Sequence, residues 1–195
     1  QQKQVEQFKK LETKRIPENI NYDDYLDILY EIIKYKKIIK EEDRLYPLNL
    51  YIAEVKTSEY LTNYINKDIL PIGNDFLLDK LKIIEEQEGI KYSKSQIEAI
   101  TYSINSPISL IIGGPGTGKT TVTRGIIHAL EKMDLIVRCA APTGKAADRM
   151  AEATDYYAET IHRLLEYNPE LGYAKNEQNP INADAVIIDE CSMVN

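Results

Sequence analysis

Between Gly113 and Thr120 the chain reads Gly-Gly-Pro-Gly-Thr-Gly-Lys-Thr, which gathers four of its nine glycines into one short loop. Without a Cβ, successive backbone N–H groups can turn inward onto one anion, and a helix starting where the loop ends aims its positive end at the same point. The spacing is the pattern G-x-x-x-x-G-K-[ST] with every fixed position filled. The occupant this predicts is a nucleoside triphosphate, held by Gly113, Gly114, Pro115, Gly116, Thr117, Gly118, Lys119, Thr120 and Thr121. Lys119 reaches the β- and γ-phosphates, and the Thr120 hydroxyl holds a Mg²⁺ that keeps most of its water.

Ile108-Ser109-Leu110-Ile111-Ile112, bounded by Pro107, reads as a buried strand ahead of this loop. Thr121 to Lys132 reads as a helix with Val122, Ile126, Ala129 and Leu130 on one face. Strand, loop and helix stand in the order the pattern requires. A glycine-rich turn that binds nothing is the competing reading, and the flanking elements and filled fixed positions count against it.

A second apolar run, Ala185-Val186-Ile187-Ile188, ends in Asp189-Glu190. Downstream of a phosphate loop this fits the Walker B arrangement: Asp189 holds the Mg²⁺ shell, and Glu190 positions or deprotonates the attacking water. The plain alternative is two acids solvating a strand end. Ligands of open α/β sheets bind at such ends, which favours the chemical reading.

Two further stretches lie between. Leu135 to Ala141 reads as a buried strand running into Pro142-Thr143-Gly144-Lys145-Ala146-Ala147, a strand-to-helix junction on the nucleotide side. Thr160 caps a short helix with Ile161, Leu164 and Leu165 inside, followed by a polar, turn-rich segment from Asn168 to Asn182. His162 is a candidate DNA contact or a surface group. Gln96 likewise has two readings: the partner of Ser93 in a capping box, or an amide that reads an adenine edge. Local spacing favours the cap.

The upstream region is expected to be small and mainly helical. Residues 1–16 read as a linker or frayed helix and residues 17–88 as a helical module with a short hairpin. Residues 89–195 then form the ATPase domain. In the module, Tyr22, Leu26, Leu29, Tyr30 and Ile33 recur at core-facing helical spacing. Lys37–Lys40 and Arg44–Pro47 flank a turn, and a longer helix runs from Leu48 to about Ile65. After Pro71-Ile72-Gly73, Asn74 or Asp75 caps a helix that Gly89 closes. The tyrosines at helical spacing read as core rather than as a base-stacking surface.

A net charge of −7 without a cluster of Lys and Arg argues against a self-sufficient DNA-binding module. No apolar run is long enough for a membrane span, and no secretory signal pattern is present. Cys139 and Cys191 both sit in apolar runs, as reduced buried thiols in a reducing compartment do. The chain opens on Gln1, so it is expected to be a piece of a longer cytoplasmic protein.

Taken together, these segments resemble the RecD/TraA-like DNA helicases of superfamily 1, akin to the exodeoxyribonuclease V alpha subunit. The resemblance rests on Ser95-Gln96, the loop from Gly113 to Thr121, and Ala141 to Ala147. It also rests on Thr160-Ile161-His162-Arg163-Leu164-Leu165 and on Asp189-Glu190-Cys191-Ser192-Met193-Val194. Leu45-Tyr46-Pro47 with Tyr51 and Glu54 resembles the segment ahead of that motor, so the likeness covers roughly residues 38–195. Cys191 and Asn195 depart from the usual Ala and Asp.

The resemblance implies an α/β, RecA-like P-loop sheet truncated after the Walker B strand. It implies an ATP- and Mg-dependent helicase moving 5′ to 3′ on single-stranded DNA in recombination and repair, alone or with nuclease subunits. Gln96 becomes an adenine reader, Lys119, Asp189 and Glu190 catalytic, and Pro142, Thr143, Thr160 and His162 DNA contacts. A second motor domain with its arginine finger would lie beyond these residues, so the chain alone is expected to bind nucleotide, bind DNA weakly and not turn over. Other P-loop enzymes, such as an AAA+ ATPase or nucleotide kinase, would share the two nucleotide motifs but have no reason for Gln96 or the Pro142-Thr143-Gly144 loop. A non-catalytic nucleotide-binding module would not need Lys119, Thr120, Asp189 and Glu190 intact.

Overall fold

A computed structural model describes residues 23, 26–28, 30–31, 38–67, 69–114 and 116–194. The proposed linker 1–16 and most of the first helix lie outside them, as do Pro115 and Asn195. Residues 23, 26–28 and 30–31 are helical, but Tyr30 is exposed rather than core-facing. The chain divides into two compact units, Gln1–Asn63 and Tyr64–Asn195.

In the first unit, β1 (Ile38–Glu41) and β2 (Arg44–Pro47) pair antiparallel from Ile38↔Pro47 to Glu41↔Arg44. Glu42 turns the ribbon with φ 50°. Pro47 ends it because a proline cannot donate to the ladder. Helix α1 (Leu48–Ile65) follows and buries no residue. Its tyrosines are therefore not the core positions their spacing suggests: Tyr60 is exposed, and Tyr51 meets Tyr46 edge-on at 5.8 Å.

The second unit runs through α2 (Asn74–Glu88), α3 (Lys94–Ile104), α4 (Lys119–Glu131), β3 (Val137–Ala141) and α5 (Gly144–Thr154). It continues with β4 (Ala158–Thr160), α6 (Ile161–Leu164), the ribbon β5 (Tyr167–Asn168) and β6 (Gly172–Tyr173), and β7 (Ala185–Ile188). The last element is a 3-10 turn at Cys191–Met193. Strands β4, β3 and β7 form a parallel sheet in that order. The central strand is apolar because both its edges are paired and its faces are covered, with Val137, Cys139, Ala140 and Ala141 all buried.

The core joins three helices to this sheet. Val122, Ile126, Ala129 and Leu130 of α4 pack with Leu81 and Ile84 of α2, Ile100 of α3, and Val137 and Cys139 of β3. Each fully buried Leu or Ile contributes about 1.5–3 kcal/mol. Gly125 of α4 permits a close approach between helices: a Cβ there would stand 2.6 Å from Ile100 Cδ1 and 3.1 Å from the Tyr92 hydroxyl. Because α2 supplies Leu81 and Ile84 to this core, it groups with residues 64–195, whereas the sequence division at 88/89 sets it with the upstream module.

Three local expectations change. Ile108–Ile112 forms no strand, and Leu110 and Ile112 are 73% and 83% exposed. A buried parallel strand needs paired neighbours and covered faces; among the described residues this stretch pairs with none, and Ile111 packs against the core while Leu110 and Ile112 stand exposed. Helix α2 starts at Asn74 with Gly73 in the N-cap position, so neither Asn74 nor Asp75 caps it. At its other end Gly89 adopts the expected left-handed conformation. Cys191 is exposed, because the strand ends at Ile188 and Cys191 opens the following turn.

Candidate functional site

Helix α4 begins directly at Lys119, with Gly118 in the N-cap position at φ 83° and Gly116 at φ 73°. Both conformations suit glycine and strain other residues. Among the described residues no side chain caps this helix. Its first-turn N–H groups, including those of Thr120 and Thr121, are therefore left for another acceptor, with the helix dipole favouring an anion. Lys119 lies over the loop, its Nζ donating to the carbonyls of Gly113 (2.5 Å) and Gly114 (2.8 Å). Thr117 Oγ1 donates to the Gly114 carbonyl at 2.9 Å, closing the turn. Gly113, Gly114, Thr117 and Lys119 are thus drawn into one knot of contacts.

Gln96 reaches the same loop. Ser93 Oγ accepts from the Gln96 backbone N–H, and Gln96 Oε1 accepts from the Ser93 N–H at 2.8 Å, which completes the capping box. That box fixes the side chain so that its Nε2 lies beside Gly118, 2.7 Å from where a Cβ would stand. The cap and the approach to the loop are one arrangement, and spacing in sequence could not show that they coincide.

Asp189 continues the sheet past the end of β7, its backbone N–H donating to the Ala140 carbonyl at 3.0 Å. Its Oδ1 accepts from the Glu190 N–H at 2.8 Å. Glu190 adopts φ 53°, an uncommon conformation for a residue with a side chain, which re-aims the chain into the 3-10 turn. Among the described residues no hydrogen bond or ion pair joins Lys119 or Thr120 to Asp189 or Glu190.

The remaining candidates gather at the carboxyl ends of β3 and β4. Ala141 and Thr160 are register partners, which sets Pro142 and Thr143 beside the start of α6. Thr143 Oγ1 accepts from the Ala146 N–H and Thr160 Oγ1 from the Arg163 N–H, both at 3.2 Å. Each threonine therefore caps the helix it precedes. His162 packs edge-on against Tyr167 at 5.1 Å and tilted against Tyr173 at 6.1 Å. The β5–β6 ribbon carrying these tyrosines is absent from the sequence reading, because two-residue strands are too short to show alternation. Its signal is the turn chemistry of Asn168-Pro169-Glu170-Leu171-Gly172 between two tyrosines.

Behind α4, Glu88 bridges Arg124 (3.2 Å) and His128 (3.4 Å), and His128 also meets Glu131 at 3.2 Å. Tyr92 lies within this buried polar group. Burial first, and the Glu88 charge second, push its phenol up to about 12. Buried Glu159 is paired by Arg138, whose guanidinium that hydrogen bond holds more firmly protonated than usual.

A parallel sheet, a glycine loop opening into a helix, and a strand leading directly into Asp-Glu define a P-loop NTPase fold. Residues 96–195 match a family described as the AAA domain, and the chain belongs to that family. It is similar to the ATP-dependent RecD2 DNA helicase of Deinococcus radiodurans, 40% identical over 102 residues covering 52% of this chain and 14% of that protein. It is also similar to the RecBCD enzyme subunit RecD of Haemophilus influenzae, 34% identical over 178 residues covering 77% of this chain and 27% of the relative. The RecBCD enzyme subunit RecD of Mycobacterium tuberculosis is 34% identical over 122 residues, 51% of this chain and 21% of the relative. The chain thus spans roughly a quarter or less of these relatives. No helix among the described residues is long and apolar enough to cross a membrane.

Proposed function

We propose that this chain is the ATP-binding front part of a cytoplasmic DNA helicase that moves 5′ to 3′ on single-stranded DNA in recombination and repair. The observation that carries the reading is the seating of the Gln96 amide against Gly118, beside the uncapped start of α4.

In this reading Lys119 exchanges its two carbonyl acceptors for phosphate oxygens, and the N–H groups from Gly116 to Thr121 take the remaining lone pairs. Gln96 Oε1 is occupied by its cap, so Nε2 acts as a donor toward a ring nitrogen of adenine. Among the described residues no His, Cys, Asp and Glu cluster could hold a metal by itself. One hydroxyl and one carboxylate, from Thr120 and Asp189, fit Mg²⁺, which takes few protein oxygens and keeps its water. Bound there, the ion would supply neutralisation of charge on the phosphate oxygens. Glu190 orients the attacking water and accepts its proton, from a position at the left-handed turn that follows the sheet end.

Pro142, Thr143, Thr160 and His162 contact the DNA strand through hydroxyls, backbone and ring rather than through charge. Binding by these 195 residues alone is accordingly weak and salt-sensitive. Arg124 is engaged by Glu88 and Arg138 by Glu159, so neither is free to stabilise the γ-phosphate. A cation from elsewhere in the whole protein serves that role, and nuclease subunits are candidate partners, as the RecBCD names of two relatives suggest.

Phosphate release by the full-length protein, with and without single-stranded DNA, tests the reading. DNA-stimulated turnover that falls about 10²- to 10⁴-fold in Glu190→Gln is expected, with negligible turnover by the 195-residue chain. A turnover indifferent to DNA, or an active Glu190→Gln protein, contradicts it.

A further inference from the structure

The rings of His162, Tyr167 and Tyr173 form a cluster that the nucleotide chemistry does not use. Tyr167 and Tyr173 are register partners across the β5–β6 ribbon, with centroids 4.8 Å apart. Backbone bonds tie the ribbon's base to the end of α6, from the Ala174 N–H to Glu166 O (3.3 Å) and from the Lys175 N–H to Leu165 O (3.2 Å). At the tip, Asn168 Oδ1 accepts from the N–H groups of Glu170 (2.8 Å) and Leu171 (3.2 Å). The rings are therefore held rather than loose. Mutual packing covers only part of them, since Tyr167 and Tyr173 remain 44% and 49% exposed.

We infer that Tyr167 and Tyr173, with His162 between them and Thr160, form a stacking platform for an unpaired base of single-stranded DNA. This rests on the DNA-motor reading and extends it to two residues outside the sequence motifs. The place is the carboxyl end of a parallel sheet, where open α/β folds bind ligands. The platform follows directly on Thr160, which the Ala141↔Thr160 register sets beside Pro142 and Thr143. A chain of net charge −7 with no basic cluster gains little from phosphate contacts, so holding a strand requires another source of affinity. Stacking on aromatic rings is that source, and it tolerates any sequence because every base has a π-face.

Anisotropy of the full-length protein on an oligothymidylate and on an abasic strand of equal length tests the platform, with MgATP binding followed in parallel. Tyr167→Ala and Tyr173→Ala are each expected to weaken oligothymidylate binding about 5- to 150-fold, the range of one lost stacking contact. Tyr167→Phe and Tyr173→Phe bind like the wild type, since the ring and not the hydroxyl stacks. On the abasic strand the Ala variants and the wild type bind alike. Ala variants that bind oligothymidylate like the wild type, or that lose as much on the abasic strand, overturn the platform while leaving the DNA reading intact. A wild-type protein that binds MgATP but neither strand removes the DNA reading and the platform together.

Discussion

A Cβ on Gly118 would stand 2.7 Å from the amide nitrogen of Gln96, so the last glycine of the loop and the glutamine that completes the capping box of α3 occupy adjoining space. The close approach and φ 83° together require glycine at position 118.

Gln96→Glu separates the two roles of that side chain. Glutamate at the third helical position still closes a capping box and suits the helix N-terminus, so the melting temperature should hold. The N–H donor is lost, and MgATP affinity should fall about tenfold with no preference left for ATP over GTP. Calorimetry with both nucleotides checks this, and a variant that keeps its preference for ATP removes Gln96 from base recognition.

Gly125→Ala should destabilise the fold by roughly 1–3 kcal/mol, the usual cost of overpacking, because Ile100 and Tyr92 already press on that position. Combining it with Ile100→Val should recover part of the loss, since the Ile100 Cδ1 is the nearest atom. Urea denaturation measures both. An unchanged midpoint for the single variant means that α3 and α4 are not so closely packed.

The phosphate loop, α4, the capping box and the strand ending in Asp189 were legible because each has a fixed local spacing. Ile108–Ile112 misled because an apolar run records what a strand could bury, while a strand also needs neighbours to pair with. The tyrosines of α1 misled in the same way: helical spacing describes a face, and only packing decides whether that face is covered. The convergence of Gln96 with Gly118, and of His162 with Tyr167 and Tyr173, depends on how separate elements fold against one another and could not be read from spacing alone.

Alkaline pH should weaken the fold through Tyr92. Its phenol is 4% exposed and raised from 10.0 to about 12, so the folded state favours the neutral form. That contribution is complete below about pH 10 and is lost as pH rises toward 12. Among the described residues the hydroxyl has no hydrogen-bond partner. Tyr92→Phe should therefore be at least as stable at pH 7 and lose less stability between pH 10 and 12. Denaturation midpoints across that range decide it, and parallel losses in both proteins would rule Tyr92 out.

The two thiols should differ in reactivity. Burial raises Cys139 to about 12, whereas Cys191 is exposed. A thiol-reactive dye on the native chain should label Cys191 and leave Cys139 until the fold is lost. Rapid native labelling of Cys139 would mean that the sheet core opens readily.

The most direct test of a phosphate site at Gly113–Thr121 is titration calorimetry of MgATP into the chain and its Lys119→Ala variant. Saturable binding by the wild type, weakened at least about 100-fold or abolished in the variant, is predicted from the loss of the cation lying over the loop. Equal affinity in the two proteins would contradict the site.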